Sequence, residues 1–455
     1  MRKAILVFWV GLIVFFSALP VFAADLKVNG DFRIRGFYTD NLTDQSDTED
    51  DASAYNSMRF LLTTKASAGL ATGVVTMDFT STHNTGNQRF GGGQSYGPQD
   101  DTFALLEAYI KADLRMATLS AGRQMFKMGH GIIFDDPVDG FFLEMPVGPA
   151  KLTLAGMKPF DCSGLTTSND PAIAATCSGG SGTGNDTDIY FGNIGIRPTA
   201  DFAGNLFFAL YKDRGPNILP FNINTGLPVS YPLGTSSVDL WVLGYSGDGK
   251  VGPINLTGEI DYLTGDFNNN SVNADLEGLN AQLGGNTNVG AANVGLTLLY
   301  ASGQDSSNAN DVNTNGIDGN FPTGIILTNG GARSLAPKDG TCLSVNGDSL
   351  GGIPNCYAGS GLKAIKGTGS ISPVERLNLQ ADIIYAKASG AQYGGGSTNI
   401  GWELDGTARY KLDDNFTLMT GIGYLVAGDF WKPTSPSDPT PDDMIVIVGE
   451  MSFHF

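Results

Sequence analysis

Residues 443–455 read DMIVIVGEMSFHF, and the fold class turns on this stretch. Ile447, Gly449, Met451, Phe453 and Phe455 fall on one face of an extended chain. Successive side chains of a strand point to opposite faces, so a strand dividing hydrocarbon from water needs roughly ten residues with apolar side chains at alternate positions. This segment has that pattern and ends on an aromatic. One such strand also suits a sandwich, so the weight lies in repetition.

The pattern recurs along the chain. Val28, Phe32, Ile34 and Tyr38 share a face, while Lys27, Asn29, Asp31, Arg33 and Arg35 share the other. Leu106, Ala108, Ile110 and Ala112 alternate with Glu107, Tyr109, Lys111 and Asp113. Ile254, Leu256, Ile260 and Tyr262 alternate with Asn255, Thr257, Glu259 and Asp261, and Trp402, Leu404, Ala408 and Tyr410 with Glu403, Asp405, Thr407, Arg409 and Lys411. Eighteen such segments can be read, from 26–38 to 443–455, with sixteen as the alternative count. Short connections (Ala71-Thr72, Leu114-Arg115, Pro373-Val374, Asp413-Asp414) alternate with long ones (39–56, 84–102, 125–139, 159–187, 213–236, 302–361 and 429–442). The expected fold is therefore all-β: a transmembrane antiparallel barrel with short periplasmic turns and long extracellular loops.

The start of the chain reads as a targeting signal. Arg2 and Lys3 precede an apolar run from Ala4 to Phe16, and Val21-Phe22-Ala23 places small residues where a signal peptidase cuts. Residues 1–23 are expected to be a signal peptide exported by the Sec route, and 24–455 the barrel. Removing the leader takes away two positive charges and no negative ones, so the net charge goes from −19 to −21. That acidity argues against a nucleic-acid partner, whose phosphates would be repelled. It suits a surface among outer-membrane lipid and lipopolysaccharide. After Ala23 no run of eighteen apolar residues remains, which excludes transmembrane helices. Only 16% of residues are charged while 62 are glycine, a composition that fits strands facing lipid on one side.

Cys162 with Cys177, and Cys342 with Cys356, fall in pairs inside single long loops, and oxidising export chemistry favours two local disulfides. Closing about 15 residues is worth roughly 3 kcal/mol in the chain-entropy picture. A zinc site would want close-set cysteines or nearby histidines, which are missing, so no metal or cofactor is expected. The histidines are His83, His130 and His454, and no G-x-S-x-G, H-E-x-x-H or haem-attachment motif occurs, so no enzyme is expected. The six carboxylates between Asp40 and Asp51 read as a solvated face.

The terminal Phe455 resembles the signal read by the barrel-assembly machinery of Gram-negative outer membranes. Together with Arg33-Ile34-Arg35, Gly122-Arg123-Gln124 and the Asp139-Gly140 strand opening, it resembles porins related to the alginate-export barrel family. The resemblance implies an eighteen-stranded pore whose charged lumen selects anionic solutes. From the residues themselves, Arg33, Arg35, Arg59, Lys65, Lys111, Arg409 and Lys411 are expected to line the lumen, with Glu107, Glu259 and Asp261 on other strands. A loop over 125–139 carrying His130, Asp135, Asp136 and Asp139 is expected to fold inward and set carboxylates against the basic wall. Opposed charge rows would order water and filter solutes by charge. The expected function is a porin passing small hydrophilic solutes through the outer membrane. The alternatives are a substrate-specific channel or polysaccharide exporter, and a receptor or adhesin acting through 302–361. General porins commonly form homotrimers, but alternation does not distinguish a subunit interface from a lipid face.

Overall fold

The computed structural model describes residues 25–41, 52–83, 101–160, 187–213, 237–268, 273–303, 311–313, 323–327, 361–390, 397–431 and 442–455. The leader and all four cysteines lie outside these residues. The strands run β1 (Asp25–Asp40), β2 (Ser53–Ala68), β3 (Ala71–His83), β4 (Asp101–Asp113), β5 (Thr118–Lys127), β6 (Asp135–Val147) and β7 (Ala150–Phe160). They continue with β8 (Thr187–Thr199), β9 (Phe202–Asp213), β10 (Ser237–Val251), β11 (Ile254–Asn268), β12 (Asn273–Val289) and β13 (Ala292–Ala301). After the three-residue β14 (Asp311–Asn313) come β15 (Leu362–Val374), β16 (Leu377–Lys387), β17 (Asn399–Lys411), β18 (Phe416–Ala427) and β19 (Met444–His454).

Eighteen of these form one closed antiparallel barrel, each paired with its neighbours in the chain, and β1 closes the sheet against β19. All eighteen expected strands are present. The extra strand, β14, adds in parallel to the outer end of β12, opposite Asp275–Glu277. The seam is extended by two bonds, the Gly30 amide donating to the Phe455 carbonyl at 2.9 Å and the Phe455 amide returning to Gly30 at 3.0 Å. The Phe455 ring lies over Gly30 in the space a Cβ would take. Tight turns at Gly69, Gly148, Gly252 and Gly290 use left-handed backbone, which glycine adopts without steric penalty.

The faces separate as the alternation requires. Trp241, Leu243 and Tyr245 point outward from β10, with Ile260 and Tyr262 beside them on β11 and Trp402 and Leu404 on β17. Such apolar side chains continue around the barrel, far beyond the few hundred Å² that a soluble monomer tolerates in one patch, so lipid is the medium that covers them.

The inner face departs from a uniformly polar wall. Toward the long-loop end it carries two buried apolar clusters. One joins Phe126, Val138, Phe142, Phe191, Phe207 and Leu240 to Met128 and Phe134; the other joins Ile384, Ile400, Leu425 and Val446 to Ile325, Ile326 and Leu327. Met128 and Phe134, and likewise 325–327, belong to connections rather than strands. Inward-turned connections thus cover the apolar wall.

Candidate functional site: the barrel lumen

The inner wall from β19 through β4 keeps its ionised groups. Arg35 Nε donates to Glu450 Oε2 at 2.7 Å, and Arg59 Nη2 to Asp78 Oδ2 at 2.6 Å. Arg33 stands opposite Arg59 across the β1–β2 pair and opposite Ser452 across the seam. Thr63 Oγ1 lies 3.1 Å from Thr76 Oγ1, which donates to Glu107 Oε2 at 2.7 Å. Arginines, carboxylates and hydroxyls therefore make a continuous hydrophilic strip in this sector. Lys65 and Lys111 extend the strip toward the short turns, and Arg409 and Lys411 lie at the corresponding level of β17.

Next to this strip, the connection after β5 turns into the lumen and reaches across to β11. It is shorter than expected: β5 persists to Lys127 and β6 begins at Asp135, leaving only 128–134 between strands. The hairpin extends because Phe126, Val138 and Phe142 bury their rings and methyls in the inner apolar cluster, with Phe126 in edge contact with Phe191 at 4.8 Å. Met128 and Ile132, 1% and 0% exposed, are the side chains this segment brings inward. The His130 amide donates to Glu259 Oε2, while its ring sets Nδ1 3.4 Å from Glu259 and Nε2 3.3 Å from Asp248. Gly129 takes φ +54°, and a Cβ there would collide with the Glu259 carboxylate.

The structure departs from the expected row of loop carboxylates at Asp135 and Asp139, while Asp136 shares the inner face with Val138 and with Phe126, its partner across the hairpin. Asp135, Asp136 and Asp139 are strand residues. Asp135 pairs with Lys127 at 3.3 Å, at the base of its own hairpin. Asp139 shares the outward face with Phe141 and accepts from Arg123 at 2.9 Å. His130 does enter the lumen, but it docks against the acidic strand β11 rather than opposing arginines. Glu259 and Asp261 do face inward, and the docked segment buries them to 4% and 0% exposure.

A second inward segment, 323–327, repeats this arrangement on β17. The Ile326 amide donates to Glu403 Oε1 at 2.6 Å, the Leu327 amide to Glu403 Oε2 at 2.8 Å, and the Ile325 amide to Asp405 Oδ2 at 3.1 Å. A Cβ on Gly324 would collide with Glu403, as one on Gly129 would with Glu259. Lys366 Nζ binds Asp382 at 3.1 Å and donates to the Thr323 carbonyl at 3.0 Å. Both anchors follow one plan, a Glu-x-Asp on an inner strand face grips backbone amides beside a glycine. Sequence reasoning placed Glu403 and Asp405 on a polar face but gave them no role. The signal was present in two Gly-Ile-Ile runs, 131–133 and 324–326, and two Glu-x-Asp runs, 259–261 and 403–405.

No family model matches the sequence, and no curated protein does. Solved structures match across nearly the whole chain. A BenF-like porin from Pseudomonas fluorescens Pf-5 superposes with a TM-score of 0.56 at 12% identity, covering 95% of this chain and 98% of that one. Pseudomonas aeruginosa OccK9 (OpdG) gives 0.55 at 12% identity, with the same coverage, 95% and 98%. Pseudomonas aeruginosa OccK8 (OprE) gives 0.53 at 10% identity, again covering 95% and 98%. At these identities the likeness establishes the fold, an eighteen-stranded closed barrel of the kind those porins adopt.

Proposed function

We propose that this protein is a passive outer-membrane porin whose aqueous path follows the β19-to-β4 sector, between Arg33, Arg35 and Arg59 on one side and the docked segments on the other. The observation that carries this reading is the closed barrel with a lipid-suited exterior and a strip of ionised side chains along one inner sector. Hydrocarbon tolerates such a barrel because every strand is paired, and the buried charges are tolerable only beside water. Along the other inner walls the docked segments and their apolar clusters occupy space, which turns solutes toward the charged strip.

Arg33, Arg35, Arg59, Lys65, Lys111, Arg409 and Lys411 then act as pore-lining cations that favour anions, with Glu107 polarising the opposite edge of the strip. Residues 128–134, through His130, set one side of the narrow zone. The neighbouring solved structures, named as porins or sharing their fold, support the channel reading. A leader over 1–23, Sec export, recognition of Phe455 by the barrel-assembly machinery and the two loop disulfides complete the proposal. A homotrimer within the lipopolysaccharide-bearing membrane would use part of the outer apolar face.

A second reading, a channel selective for one class of small anionic solute, is favoured by the two docked segments, which fix the shape of the narrow zone. Of the motifs that resemble alginate-export barrels, Arg33 and Arg35 face the lumen, whereas Arg123 faces outward and binds Asp139. Those motifs therefore add nothing about an alginate cargo. Planar-bilayer recording of the purified protein tests both readings. Ohmic conductance proportional to salt with anion preference supports the porin, saturating block by one organic anion supports the selective channel, and absence of conductance defeats both.

A further inference from the structure

We propose that the inner wall at β11 binds a calcium ion, held by Glu259 and Asp261 with the flanking oxygens of Ser246 and Gln282, and that this ion pins residues 128–134 inside the lumen. Glu259 stands opposite Ser246 on β10 and opposite Gln282 on β12, while Asp261 stands opposite Gly244 and Asn280. Residues directly opposite in an antiparallel pair lie about 5 Å apart, so these side chains share one small patch of the inner face.

Ser246 Oγ and Gln282 Oε1 are buried here without a hydrogen-bond partner, and the Asp261 carboxyl meets the Glu259 carboxyl but receives no protein N–H. Asp261 and Ser246 are 0% exposed. A buried group left unsatisfied in a native protein needs a ligand to explain it, and two neighbouring buried carboxyls need either a cation or a shared proton between them. Among the described residues, His130 is the basic side chain that meets the pair, and its Nδ1 stands 3.4 Å from Glu259 Oε2.

The twin site on β17 is the internal control. There three amides at 2.6–3.1 Å saturate most of the Glu403 and Asp405 oxygens, and the Lys366 ammonium lies close by. The β11 pair receives the His130 and Ile132 amides, both at Glu259, and among the described residues no lysine. The two sites share an architecture, and the missing charge at one of them is what a bound cation supplies.

The donors identify the cation. Among the described residues no three His, Cys, Asp or Glu side chains gather around one point, so the ligand set here is two carboxylates completed by neutral oxygens. Two carboxylates with hydroxyl and amide oxygens are the ligand class of calcium, which takes six to eight oxygens in flexible geometry. Glu259 would bridge two tasks, with Oε2 gripping the His130 amide and Oε1 on the ion, so calcium occupancy and docking of 128–134 become one event.

Equilibrium dialysis of the chelator-stripped, detergent-solubilised protein against labelled calcium tests this directly, alongside thermal unfolding. Asp261→Asn should abolish the bound equivalent, Ser246→Ala should weaken it, and Asp405→Asn on the twin site should leave it intact. At about a hundred times its dissociation constant, calcium should raise the folded-to-unfolded ratio about a hundredfold, with magnesium less effective. Calcium binding that survives Asp261→Asn would place the ion on surface carboxylates and overturn the proposal. Should Asp261→Asn fail to fold, the comparison of Ser246→Ala with wild type decides instead. A wild type that retains no calcium, and is destabilised only by raising the pH, would mean that a shared proton holds the pair. Bilayer conductance is read separately, so a protein that binds calcium but conducts nothing defeats the channel reading alone.

Discussion

Replacing Glu403 by alanine should free the 323–327 segment from the lumen without opening the barrel. The carboxylate accepts the Ile326 and Leu327 amides at 2.6 and 2.8 Å, and Ile326 and Leu327 are 1% and 2% exposed. In the variant both amides stay buried without acceptors if the segment remains docked. Each buried donor left unpaired costs about 1–3 kcal/mol, so docking loses about 2–6 kcal/mol. Every 1.4 kcal/mol is a factor of ten, so the undocked population should rise by at least tenfold. The barrel itself should hold, since β17 keeps full ladders to β16 and β18. Glu403→Gln retains one acceptor oxygen but aims its amide hydrogens at a second donor, so it should fall between alanine and wild type. Single-channel recording in planar bilayers reads the result as larger conductance with added open-state noise. An alanine variant that conducts like wild type, at equal thermal stability, would show that this anchor does not set the narrow zone.

Three further outcomes follow from the same geometry. Arg33→Ala with Arg35→Ala should move the reversal potential in a salt gradient toward cations, and an unmoved potential removes the basic strip from selectivity. Gly129→Ala places a methyl group against the Glu259 carboxylate at φ +54°, so backbone amides of 128–134 should exchange hydrogen faster than in wild type while those of β5 do not. Phe126→Ala empties the centre of an aromatic group that includes Phe134, Phe142 and Phe191 at 4.8–5.8 Å; a loss of about 3–5 kcal/mol is expected, seen as a lower unfolding temperature.

The strands were legible because hydrocarbon imposes a harsh pattern, and a strand such as 254–263 could show its outward Ile260 and Tyr262 against an inward Glu259 and Asp261. The same rule misled at the long-loop end. Phe126 and Val138 face inward and yet are apolar, so the sequence read 125–139 as a loop where the hairpin in fact continues. Polar-inside alternation presumes a wet lumen, and here connections fill part of it. The segment 323–327 was hidden for a different reason, since five residues within a sixty-residue connection carry no periodicity. The site was half legible. Inward charges at Arg33, Arg35, Arg59, Glu259 and Asp261 followed from parity alone, whereas which of them meet water depends on contacts between residues more than a hundred positions apart, such as His130 with Glu259.

The seam between β1 and β19 joins Asp31 to His454. The first strand to leave the ribosome thus lacks one of its two neighbours until the last has been made, and an unmatched edge in water invites pairing with other chains. Sheet closure is for this reason a step that follows synthesis, and the polypeptide must be kept from premature pairing throughout its journey to the bilayer.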